Sequence, residues 1–145
     1  MFPEYFVTGV VATHRQLAVE TFDPESEDPD AHWLNDFIRA AIEHDVDIVA
    51  GTIVERSSDK SSAGLNNICH YIDRRGQVLS RYWKKNLWHP EKDYLSVGQE
   101  DHAVFDTEFG RVGLLICSSL AVVQSRLLVS LKQAGIWHGP KLFVP

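Results

Sequence analysis

The stretch from Asp47 to Val54, DIVAGTIV, is apolar and rich in β-branched residues, and it does not alternate between apolar and polar side chains. A strand with one wet face alternates, because successive side chains point to opposite sides of a sheet; a strand that does not alternate has to be covered on both faces. A chain built around such a strand must therefore supply a layer above it and a layer below it. This predicts a layered α/β domain and sets the task for the rest of the sequence.

One layer is available just upstream. From His32 to Glu43 the residues Trp33, Leu34, Phe37, Ile38, Ala41 and Ile42 recur at helical spacing, which predicts an amphipathic helix packed on a flat surface. The acidic, proline-bearing stretch from Thr21 to Asp30 before it reads as a loop, with Asp30 placed to cap the helix. Downstream, Ser57 to Gly64 reads as a turn. Asn67 to Ile72 and Gln77 to Trp83 read as strands joined through Asp73-Arg74-Arg75-Gly76, where glycine can take the positive φ of a tight hairpin. AVFDT and RVGLLIC, flanking Glu108-Phe109-Gly110, predict a second hairpin. Leu120 to Lys132 reads as a helix and KLFVP as a last strand. The opening MFPEYFVTGV reads as a first strand, so the expected order is strand, helix, strand, two hairpins, helix, strand.

Composition narrows the function. The 145 residues carry a formal net charge of -6, with 44% hydrophobic and 23% charged side chains, which suits a single globular domain. An acidic chain lacks the clustered Lys and Arg that nucleic acid or an anionic membrane surface requires, and the basic cluster RYWKK is too short to serve. No apolar run approaches the roughly 18 residues of a membrane span, and no secretory leader is evident. The expectation is a cytoplasmic protein acting on a small molecule. Seven histidines without paired spacing argue against a metal site. Two cysteines are too few for a disulfide framework, and both Cys69 and Cys117 fall in apolar runs where reduced thiols are usually buried.

Three residues could carry chemistry, and each has a bland alternative. Cys117 ends the run VGLLIC and precedes Ser118 and Ser119, which could cap a following helix. It is either a structural cysteine or a thiol on a strand-to-helix elbow, where a helix N-terminus favours thiolate. Lys84 closes the strand VLSRYW and is either a solvated strand-end lysine or a fixed cation facing a developing oxyanion. Glu4, after Pro3 and beside aromatics, is either a frayed terminal glutamate or a partly desolvated carboxylate suited to proton transfer. Cys69, in mid-strand, reads as structural.

The blocks FPEYFVTG, YWKKNLWHPE and GRVGLLIC, in this order, resemble the three signature blocks of the nitrilase and amidase (carbon-nitrogen hydrolase) superfamily. IVAGTIVE, NNICHYIDRRGQVLSRYWK and YLSVGQE are also similar to its intervening segments. The resemblance implies an α-β-β-α sandwich, of which this chain would be a partial, truncated version over residues 1–145, lacking the family's N-terminal strand and C-terminal half. It implies a catalytic triad of Glu4, Lys84 and Cys117 with Glu91 in support. It further implies hydrolysis of an amide, or less typically a nitrile or carbamoyl compound, through a cysteine thioester without metal or organic cofactor. A full-length form would be a homo-oligomer.

Two departures bear on this. The family's cysteine is normally followed by an aromatic and an acid, whereas here it is followed by Ser118-Ser119. With a half-sandwich, the inner faces of DIVAGTIV and VGLLIC are expected to lack a covering layer. The alternatives to an enzyme are accordingly an inactive relic, or an interaction module that pairs with a full-length relative.

Overall fold

The computed structural model describes residues 1–6, 9, 18–19, 33–57, 64–101, 104–117 and 141–143. Within these, helix α1 (Leu34–His44) leads into strands β1 (Ile48–Arg56), β2 (Leu65–Ile72) and β3 (Val78–Trp83), then a 3-10 turn (His89–Asp93), strands β4 (Val104–Thr107) and β5 (Gly110–Leu114), and β6 (Lys141–Phe143). Apart from the opening segment, the expected helices and strands among the described residues are present, with ends shifted by at most a few residues. The loop over Thr21–Asp30, most of the turn after Ser57, the Asp30 cap, Ser118, Ser119 and the helix over Leu120–Lys132 lie outside the described residues.

Strands β1, β2 and β3 form an antiparallel sheet in that order, while β4, β5 and β6 form a second sheet in which β5 and β6 run parallel. The two hairpin glycines take the positive φ their turns need, Gly76 at 81° and Gly110 at 105°. Every residue of β1 up to Glu55 is buried, as its unbroken apolar run predicts. Leu34 and Ala41 of α1 cover one face through Ile48, Ala50 and Ile72. The second sheet covers the other: Val112, Leu114, Leu115 and Ile116 pack with Val49, Cys69, Tyr71 and Tyr82. This arrangement supplies three consecutive layers, α-β-β, of an α/β sandwich.

Two expectations need correction here. The inner faces of DIVAGTIV and VGLLIC are not left bare, because the two sheets cover each other. The first residues are not a strand either. Pro3 has no N–H to donate and Tyr5 has φ 57, so pairing with β1 stops after the bond from Phe2 N–H to the Val49 carbonyl, 3.1 Å. The segment turns inward there and carries Glu4 with it.

Candidate active site

Lys84 follows directly on β3 and is fixed at both backbone groups. Its N–H donates to the Asn67 carbonyl at 2.9 Å, and its own carbonyl accepts from Gly98 N–H at 3.0 Å. The loop that supplies Gly98 crosses so close that a Cβ on Gly98 would lie 2.4 Å from the Trp83 carbonyl oxygen, hence the glycine. Tyr82 and Lys84, two residues apart, extend to the same side, the face shared by both sheets. The lysine is therefore not the solvated strand-end residue of the bland reading; it is 1% exposed.

A buried ammonium needs anionic partners, since its desolvation is otherwise prohibitive. Two are present. Nζ donates to Glu4 Oε1 at 2.7 Å and to Glu91 Oε1 at 2.8 Å. Burial alone would lower the lysine pKa, but the bonds and charges of Glu4 and Glu91 outweigh it and hold it above the usual lysine value.

Glu91 is 2% exposed and positioned by the 3-10 turn in which it lies: the Trp88 N–H donates to its Oε2 at 2.7 Å, and the Tyr5 hydroxyl donates to its Oε1. Burial, followed by that bond to Glu91, pushes the Tyr5 hydroxyl pKa upward, so it remains a donor. Glu4 is held from the other side. The Tyr5 N–H donates to Thr52 Oγ1 at 2.9 Å, and Asn67 Nδ2 donates to Glu4 Oε1 at 2.9 Å.

The approach of the Glu4 segment depends on β1. Its register with β2 slips between Ala50 and Thr52, leaving Gly51 in a bulge, and the backbone of Phe2 and Pro3 lies against that glycine. The structure thus brings together Glu4, Lys84 and Glu91.

Cys117 stands apart in the bonding pattern: among the described residues no hydrogen bond joins its Sγ to these three. It lies three residues beyond the end of β5, is exposed, and has φ 46. The expectation of a buried Cys117 is thus corrected. A non-glycine residue in the left-handed region is uncommon and costs conformational energy. Cys69 is buried as expected, and burial pushes its thiol up to about 12.

Tyr5, Asn67 and Thr52 escaped attention in the sequence. Tyr5 stands next to Glu4, and Asn67 is one of three polar residues, with Asn66 and His70, in a strand that is buried throughout. Among the described residues no group of three or more His, Cys, Asp or Glu side chains is arranged to hold a metal ion, and no helix is long and apolar enough to cross a membrane.

Comparison with known proteins identifies the family and the fold. Residues 1–139 match the carbon-nitrogen hydrolase family. A nitrilase of Pyrococcus abyssi is 30% identical over 146 aligned residues, covering 100% of this chain and 52% of its own length. Among solved structures, Nit3 of Saccharomyces cerevisiae, a nitrilase superfamily member, superimposes with a TM-score of 0.70 at 23% identity, over 90% of this chain and 45% of its own. A cysteine-to-alanine mutant of a Nesterenkonia amidase from the same superfamily gives 0.68 at 20% identity, over 99% and 49%. The chain spans about half the length of the curated relatives it matches.

Proposed function

Since the chain belongs to the carbon-nitrogen hydrolase family, we infer that Glu4, Lys84 and Cys117 form the catalytic triad of a hydrolase acting on small amides, and secondarily on nitriles or carbamoyl compounds. The observation that carries this reading is the buried Lys84 ammonium clamped between two carboxylates at 2.7 and 2.8 Å. A cation so costly to bury is useful where a negative charge develops.

In this reading Glu4 takes the proton from the Cys117 thiol, and the sulfur attacks the amide carbonyl carbon. Lys84 balances the oxyanion of the tetrahedral adduct. The adduct collapses with cleavage of the carbon-nitrogen bond, and the leaving ammonia or amine takes the proton from Glu4. A water molecule, deprotonated by the same carboxylate, then attacks the thioester carbonyl, releasing the acid and restoring the thiol. Glu91 supports the site by fixing Lys84. The steps need no metal or organic cofactor. The exposed, left-handed position of Cys117 supports its role as the group that meets substrate.

The test is incubation with a small primary amide, following ammonia release and the mass of the peptide containing Cys117. An acyl adduct on that peptide, lost in Cys117→Ser and Lys84→Met and retained in Cys69→Ser, is the expected result. Full turnover by Cys117→Ser contradicts the assignment. A homo-oligomer, proposed by analogy with the family, is tested by solution mass.

A further inference from the structure

We propose that Asn67 is a positioning residue for Glu4, holding one carboxylate oxygen against Lys84 and leaving the other, Oε2, as the atom that takes the thiol proton. The inference rests on the triad reading above and adds to it which oxygen is the base and what selects it.

Glu4 Oε1 receives two donors, Lys84 Nζ at 2.7 Å and Asn67 Nδ2 at 2.9 Å. Among the described residues Oε2 receives none. The Glu4 side chain is 18% exposed, whereas that of Lys84 is 1% exposed, so the carboxylate forms the open side of the cluster. A carboxylate anchored through one oxygen by two donors cannot rotate without breaking both bonds, and its free oxygen is held in a fixed direction. The amide orientation follows from chemistry. A carboxylate only accepts, so the NH2 end of Asn67 must face it.

Asn67 is built rigidly into the fold. It lies on β2, the middle strand of its sheet, opposite Val54, and its own carbonyl accepts the Lys84 N–H at 2.9 Å. The two donors to Oε1 therefore come from residues hydrogen-bonded to each other through their backbones. The residue is fully buried, and its Oδ1 has no hydrogen-bond partner among the described residues. An unsatisfied buried carbonyl is a cost to stability that an apolar residue of similar shape would avoid. The bond to Glu4 is what the amide provides in return.

The experiment uses the 145-residue chain and iodoacetamide, with alkylation of Cys117 followed by mass spectrometry across a range of pH. Asn67→Leu removes the donor, and Cys117 alkylation at neutral pH is expected to slow by roughly tenfold or more, the worth of a hydrogen bond to a charged group. Asn67→Asp adds a signature that a merely structural role would not produce. The introduced carboxyl donates while protonated and repels Glu4 once ionised, so its rate relative to the parent falls as pH rises. If the parent Cys117 reacts no faster than a free thiol, the triad reading itself fails. If the parent is fast and both variants, with parental near-ultraviolet circular dichroism, match it at every pH, the triad stands and the role of Asn67 is overturned. Should either variant lose the fold, the Asn67 side-chain amide decides: its protons are expected to exchange slowly in a 15N-labelled parent chain and to shift in Glu4→Gln. Fast exchange or no shift overturns the proposal.

Discussion

A methyl group on Gly51 would lie 2.4 Å from the carbonyl oxygen of Pro3, closer than any real Cβ contact. The bulge in β1 and the segment that carries Glu4 are thus packed backbone to backbone, and the position of the carboxylate depends on residue 51 having no side chain. Gly51→Ala is expected to push the Pro3-Glu4 segment outward, costing about 1–3 kcal/mol of stability, the usual range for overpacking. It is also expected to slow Cys117 alkylation by iodoacetamide more than the stability loss explains. Chemical denaturation together with the alkylation rate measures both. An unchanged rate in a folded variant would show that Glu4 is not held from Gly51.

Lys84→Met leaves two carboxylates facing each other beside an apolar side chain, and the expected loss is about 3–5 kcal/mol, typical for breaking a buried ion pair. Its pH dependence has a definite sign. The folded-state pKa of Lys84 is raised above the ordinary lysine value of 10.5, so its contribution is fully present below that value and disappears as pH rises through the raised one. The gap in stability between parent and variant should hold from neutral pH up to 10.5 and shrink only above it. Denaturation curves at a series of pH values check this, and a gap that closes near neutral pH would refute the clamp.

The layered fold could be read from the chain because its signals are local. The unalternating DIVAGTIV, the helical spacing from Trp33 to Ile42, and the turn glycines Gly76 and Gly110 each act within about a dozen residues. The pairing of Glu4 with Lys84 could be anticipated only through resemblance, since these residues are 80 apart in sequence. The contacts of Tyr5 with Glu91 and of Asn67 with Glu4 span 86 and 63 residues, so no local pattern specifies these partners. The bulge at Gly51 was equally hidden, because register is a property of two strands and not of one. The apolar residues of the opening segment suggest a strand, but Pro3 and the left-handed Tyr5 stop its pairing with β1. The half-sandwich suggests bare inner faces for DIVAGTIV and VGLLIC, but the two sheets it does contain cover each other.

Glu55 gives an independent check on the face of the first sheet away from the triad. It is fully buried, with Arg81 Nη2 at 3.3 Å and His70 Nε2 at 3.6 Å. Burial raises its pKa from the ordinary glutamate value of 4.5 to about 7, with the Arg81 charge only partly opposing. Between those values the folded protein binds more protons than the unfolded chain, so stability falls as pH rises through that window, by up to about 3 kcal/mol. Glu55→Gln is expected to flatten the profile over the same interval. Thermal unfolding from pH 4 to 8, on parent and variant, measures it; a parent whose stability rises across the window contradicts the assignment.

Cys117 is exposed and Cys69 is not, so faster labelling of Cys117 than of Cys69 would follow from access alone. The decisive comparison keeps access constant and changes the proposed base. The measurement is the second-order rate of Cys117 alkylation by iodoacetamide at neutral pH in the parent chain and in Glu4→Gln, where Lys84 and Glu91 remain. If Glu4 takes the proton of the Cys117 thiol, the rate falls at least tenfold, within the range that a positioned general base contributes. Equal rates in the two folded chains would mean that Glu4 and Cys117 do not act together, and the triad would not exist.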